Sequence, residues 1–288
     1  MQIETVKFLI IVNIILLVVA YSYNRKLKKK RVKFHLESIK LSMVLKELVI
    51  VAQQQRGLCY RYKNGDTGLM PKIESNYQSI ESLINSLEYK YDKFLNSDSR
   101  WEKIRNQLVG IKQEFSTFDE EESFTRYSVF IESLLHLIAN VAHRGQNNVS
   151  EFVTNKEVNI IWENIPSALE AMGKTRAIGS GVASAGVCSQ ANKIKLKFLN
   201  DEIIRNYNMV FNQLNKVSNS EAAKISVGIS NVIDEFVISV RQNLIEPSVP
   251  IIQSDVFFKQ ATEAMDGLSK LFDKMTVLKS REIEKVIN

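Results

Sequence analysis

The chain has 288 residues, enough to bury one large core or two smaller ones, and its few Gly and four Pro beside abundant Leu, Ile, Lys, Glu and Asn favour helix throughout. Its formal charge of +6 points to nucleic acid only until the charges are located: seven of the 38 basic residues lie in RKLKKKRVK (25–33), which holds no acid, leaving 31 basic against 32 acidic residues elsewhere. A body so close to neutral has no electrostatic footprint for DNA or RNA, and nucleic acid is not an expected partner.

The N-terminal segment runs without an ionisable acid or base from Phe8 to Asn24. That is the short end of a bilayer span. Tyr21 and Tyr23 fall where one interface would lie, and the basic cluster follows at once. The positive-inside bias then predicts residues 1–24 as a single-pass anchor in the cell inner membrane, 25–34 as a basic juxtamembrane segment and the remainder as a cytoplasmic body. A cleaved signal peptide is the rival reading, but the positive charge falls on the wrong side of the apolar run. A buried core helix is disfavoured by the same flanking charge. Cys59 and Cys188 fit a reducing compartment and require no disulfide.

Helical periodicity continues from the anchor to about Tyr62, and NGDTG (64–68) marks a turn. A second helix is predicted over 69–95, and a third runs from an N-cap in SDS (97–99) to Phe115. A fourth begins in FDEEES (118–123), whose acids favour a helix N-terminus, and stops at Gly145. NNVSEFV (147–153) is a connector. The fifth helix starts near Asn155, is interrupted at Pro166 and ends near Gly186, and the sixth covers about 189–217. Ser218, Asn219 and Ser220 open the seventh, which ends before EPSVP (246–250). Ser254 and Asp255 are expected to cap the eighth, which continues toward the C-terminus. The predicted fold class is all-α, with two antiparallel four-helix bundles (about 35–145 and 155–273) after the transmembrane helix and a helical tail over 274–288.

Two arginines break the pattern. Leu45, Val49, Ala52, Arg56 and Cys59 share one helical face, as do Leu169, Met172, Arg176, Gly179 and Ala183. A charge on such a stripe is costly unless it is paired. A core arginine taken alone most often reaches the bundle edge or pairs with a buried carboxylate. Around Arg176, however, AIGSGVASAG (177–186) has no side chain larger than Ile, which suggests room for a close helix or an ion. A forked guanidinium suits a small planar oxyanion, and two of them could hold one ion between the bundles. Ser180, Thr175 and Gln53 are further candidate donors, with plain polar packing as their ordinary role.

Three stretches are similar to the nitrate- and nitrite-sensing (NIT) domain family: AQQQRGL (52–58) with NGD after it, IPSALEAMGKTRAIGSGVASAG (165–186), and SDVFFKQATEAMDGLSKLFD (254–273). The resemblance covers most of 35–273 and departs at Gln55, where Glu or His often precedes Arg-Gly, and in the bulky run 57–68. It implies an all-helical sensor of nitrate or nitrite, with Arg56 and Arg176 as the anion-binding arginines. Family members commonly sit before an output module, whereas only KMTVLKSREIEKVIN follows Asp273. Output would then pass to a separate protein, or through a homodimer. No cofactor is implied. The sequence has no Ser-His-Asp order, Walker loop, HExxH or CxxC, so no enzyme is expected. His136 reads as a packed core histidine, and the aromatics Tyr60, Tyr62, Tyr89, Phe124 and Tyr127 as core or interface. The alternatives are a scaffold that keeps the fold without ligand, and a sensor for another small anion or for a thiol oxidant through Cys59, whose pKa a nearby Arg56 would lower.

Overall fold

A computed structural model describes residues 2–96, 98–149, 159–214 and 221–285, with the side chains of residues 2–6 and 221–227 outside the description. Among the described residues there are eight α-helices and no strand: α1 (Gln2–Lys63), α2 (Met70–Leu95), α3 (Ser99–Glu114), α4 (Glu120–Asn147), α5 (Ile165–Ala185), α6 (Gln190–Leu214), α7 (Glu221–Val240) and α8 (Ser254–Glu284). The expected seventh-helix start at Ser218–Ser220 and most of the 147–153 connector lie outside the described residues.

Local signals set the boundaries. Gly65 turns the chain after α1 with φ 104°, and Gly186 ends α5 in the left-handed region with φ 66°, conformations that cost other residues a Cβ clash. The Asp98 side chain accepts from the Arg100 amide at the start of α3, and Asp119 accepts from the Glu122 amide at 2.7 Å at the start of α4. The expected interruption at Pro166 takes the form of one π-helical turn (Ile160–Asn164) that runs into α5, with Pro166 in the first turn of that α-helix. A second π turn (Arg241–Ile245) closes α7. The expected cap on α8 is corrected: Gln253 takes the N-cap position without a side-chain bond, and the Ser254 hydroxyl donates instead to the Ser180 carbonyl at 2.9 Å.

Helices α1–α4 pack up-down-up-down, as do α5–α8, and the two groups meet where α1 and α4 touch α5 and α1 touches α8. The stripe Leu45, Val49, Ala52, Arg56, Cys59 is buried as its spacing predicts. Aromatic contacts fix the register: Phe34 stacks on Phe94 between α1 and α2, and Trp162 meets Phe272 edge-on ahead of α5. Met275 and Ile283 are buried, so residues 274–283 of the expected tail pack against the body. Two sequence expectations are corrected here. His136 and Tyr89 are exposed; the buried histidine is His35, wedged against α4 at Gly145, where a Cβ would lie 2.6 Å from its Nδ1.

The first part of α1 projects from the body. Its apolar residues from Phe8 to Val19 are 53–70% exposed, apart from the half-buried Val12. By length and composition this segment can cross a membrane.

Candidate functional site

Arg56 is fully buried on α1 and is met by a carboxylate from α5. Its Nη1 donates to Glu170 Oε1 and to the Ser128 hydroxyl of α4 at 3.0 Å, and its Nη2 faces Glu170 Oε2 at 3.3 Å. The guanidinium also lies 5.2 Å from the Phe124 ring. Gln53, one turn earlier, donates its amide to Glu170 Oε2 at 2.8 Å. Lys174 stands 3.8 Å from Glu170 and pairs more closely with Glu132 at 2.6 Å. A carboxylate that accepts from Arg56 and Gln53 keeps its charge compensated inside the core. Gly173 allows this approach, since a Cβ there would be 3.1 Å from Arg56 Nη2 and 3.2 Å from Gln53 Nε2.

Arg176 is in a different position. It is buried on α5, donates to the Thr262 hydroxyl at 3.2 Å and stacks 4.9 Å from the Phe258 ring of α8. Among the described residues no carboxylate lies within ion-pair distance of it. Burial, and then the positive charge of Arg56, pull its pKa from 12.5 to about 10, while Asp266 and Glu170 push it back up. The two guanidiniums therefore feel one another, and only one has a partner carboxylate. Arg176 borders a cavity of about 90 Å³ between α1, α4, α5 and α8. Gln53, Lys46, Thr262, Asp266 and Ser269 supply its polar wall, and Val49, Leu169, Met265 and Phe272 part of its apolar wall. It has room for a few waters or one small polyatomic ion. Lys46 is itself tied to Asp273 at 2.6 Å and to the Ser269 hydroxyl.

Of the five residues predicted as ligands, Arg176 and Gln53 border this cavity, while Arg56 lies behind Gln53 in the grip of Glu170. Thr175 points elsewhere, its hydroxyl spent on the Ala171 carbonyl at 2.8 Å. Ser180 is buried one turn further on, and its hydroxyl has no hydrogen-bond partner among the described residues. The small residues after Arg176 accommodate rings, not an ion: a Cβ on Gly179 would lie 2.3 Å from Phe257, and one on Gly181 2.8 Å from Tyr60. Sequence reasoning missed Glu170, although an acid inside the apolar run ALEAM was a visible signal, and it missed the contributions of Thr262 and Ser269 from α8. The thiol expectation is also corrected. Burial raises the Cys59 pKa to about 12, outweighing the hydrogen bond to Tyr127 that lowers it, the opposite of an activated cysteine. Among the described residues no group of three His, Cys, Asp or Glu is placed to hold a metal.

No family model matches the chain, and no curated protein matches it either. Among solved structures, that of the NasR transcription antiterminator is similar, with a TM-score of 0.67 and 13% sequence identity, over 94% of this chain and 75% of that one. At that identity the likeness is one of fold.

Proposed function

We propose that the protein is a membrane-anchored, non-catalytic signal-input protein that binds a small planar oxyanion of the nitrate or nitrite class beside Arg176. The observation that carries this reading is a buried guanidinium on the wall of a cavity, with no carboxylate within ion-pair distance among the described residues. A desolvated cation that Asp266 and Glu170 compensate only from beyond ion-pair distance is costly, and an anion in the cavity lowers that cost. Arg176 and the remaining N–H of the Gln53 amide supply donors, the Thr262 hydroxyl being given to the Phe258 carbonyl at 2.8 Å, and Lys46 adds positive charge against Asp266. Charge-assisted hydrogen bonds contribute about 1.5–3 kcal/mol each. Two or three of them reach the roughly 4–8 kcal/mol of millimolar to micromolar binding. The fold shared with NasR and the sequence likeness to NIT domains agree with the same ligand class.

Because α1, α5 and α8 all wall the cavity, an ion that draws them together changes the packing of the helix that leads to the membrane against the last helix. It shifts that equilibrium only by its difference in affinity for the two packings. Output then passes to a separate protein, with the body on the cytoplasmic side of the inner membrane. The test is titration calorimetry on the full chain in detergent. Sodium nitrate or nitrite should bind with a millimolar or tighter Kd, chloride and sulfate more weakly, and Arg176→Ala should abolish the heat. An unchanged isotherm for Arg176→Ala removes the proposal. A scaffold role is the second reading, favoured by the Glu170 carboxylate that already neutralises Arg56.

A further inference from the structure

We infer that the projecting half of α1 is a docking surface for a second copy of this chain, the two helices lying parallel with their Asn13 side chains hydrogen-bonded to each other inside the bilayer. This pairing rests on the reading of the segment as a membrane span and gives that span a partner. Between Phe8 and Ala20 every side chain except that of Asn13 is apolar. Asn13 lies six residues after Lys7 and twelve before Arg25, so about 9 Å and about 18 Å along the helix from the charged ends. It is exposed, and among the described residues its side chain makes one hydrogen bond, from Nδ2 to the Leu9 carbonyl of its own helix at 2.9 Å. One amide N–H and the Oδ1 acceptor are left over. Hydrocarbon offers them no water, and an unpaired polar group there is costly. A carboxamide is its own complement, since two of them face to face exchange N–H···O bonds.

Asn13 also belongs to a seam. Leu9, Asn13, Leu16, Ala20, Tyr23 and Leu27 follow at spacings of 4, 3, 4, 3 and 4, the 3.5-residue repeat of paired parallel helices. One Asn on such a seam fixes the register of the pair. All six residues are exposed, Leu9, Leu16 and Tyr23 by 54–62%. Ala20 lets the two backbones approach. Leu27, the single apolar residue of RKLKKK (25–30), falls on the seam, so the basic run keeps charge off it until Lys30. The body does not obstruct the partner. Val32, the first fully buried side chain of α1 among those described, is turned roughly 140° from Leu27, and the half-buried Lys28 lies on the Val32 side. From Leu9 to Leu27 the seam runs for about 27 Å, close to the thickness of a bilayer core. The parallel arrangement follows because both copies insert with the same orientation. Two bodies then stand side by side, and a change in the packing of α1 in one copy bears on the seam it shares with the other.

The experiment uses the full chain in the membranes of an expressing cell and in phosphatidylcholine vesicles. Oxidative cross-linking compares Leu16→Cys and Ala20→Cys on the seam with Ile14→Cys and Val18→Cys on the far side of the helix, the wild type controlling for the buried Cys59 and Cys188. Disulfide-linked dimers should form from the first two and not from the others. Energy transfer between labelled chains diluted into the vesicles gives the dissociation constant. Asn13→Leu should raise it about tenfold, and Asn13→Gln should restore most of the association. Asn13 lies outside the packed body, so the melting temperature of the body should not change in either variant. Alkaline carbonate extraction separates the pairing from the anchor. If the chain stays in the membrane and cross-links form equally from both faces, or from neither, the pairing is wrong and the anchor stands. If carbonate releases the chain, the anchor is rejected and the pairing inside a bilayer goes with it. An unchanged dissociation constant in Asn13→Leu overturns the Asn13 contact. Seam cross-links that join this chain only to a different protein overturn the second copy as occupant.

Discussion

Arg56 and Arg176 sit on equivalent apolar stripes, yet removing each should have opposite consequences for stability. Arg56→Ala strands Glu170 in the core without its main partner. The expected loss is about 3 kcal/mol or more, read from a denaturant titration. Arg176→Met removes a desolvated charge that has no ion-pair partner and keeps the apolar bulk, so the melting temperature should hold or rise while nitrate binding disappears. His35 provides a pH signature. Burial, and then the nearby Lys279 charge, lower its pKa from 6.5 to about 4, so it is neutral in the fold and protonated in the unfolded chain between those values. The unfolded state then binds more protons, and stability falls as pH drops from 6.5 toward 4, by at most about 1.4 kcal/mol per pH unit. His35→Asn should flatten that slope in melts taken across the window. At this scale the sequence announced both arginines, because charge on a 3.6-residue apolar period is visible without coordinates. It did not announce that Glu170, 114 residues away, would take Arg56, because that depends on how α1 and α5 align.

Helix boundaries followed closely from short-range chemistry. Asp98, Asp119, Gly65 and Gly186 act within a turn of themselves, which is why their roles could be read from the chain alone. The start of α8 could not, because Ser254 is drawn off by a carbonyl 74 positions away on α5. The meaning of the small residues in α5 was equally hidden. Glycine in a helix indicates close approach, but only the packed structure shows that the visitors are Phe257 and Tyr60. Their difference makes a prediction about element packing. Gly179→Ala drives a methyl into the fully buried Phe257 ring and should cost about 1–3 kcal/mol. Gly181→Ala meets Tyr60, which is only half-buried and can turn aside, and should cost clearly less in the same equilibrium unfolding experiment.

At the scale of the whole molecule, residue order divides the chain into an apolar segment long enough to cross a membrane, a basic stretch and a near-neutral body. Replacing the basic residues of 25–33 with Glu should weaken or invert the orientation in the membrane, as protease accessibility of the body in inverted vesicles would show. The pairing of two four-helix groups was legible as a count of helices, whereas the cavity among α1, α4, α5 and α8 was not, since four separate segments contribute to it. One further property belongs to α1 alone. It is unbroken from Gln2 to Lys63, so Tyr21 and Gln53 are joined by about 48 Å of continuous backbone hydrogen bonding. With no hinge between them, a roll or axial slip imposed beside Arg176 is carried along the helix to its exposed apolar end. The same stiffness works in reverse, so that a force applied to that apolar end alters the packing of α1 beside Arg176.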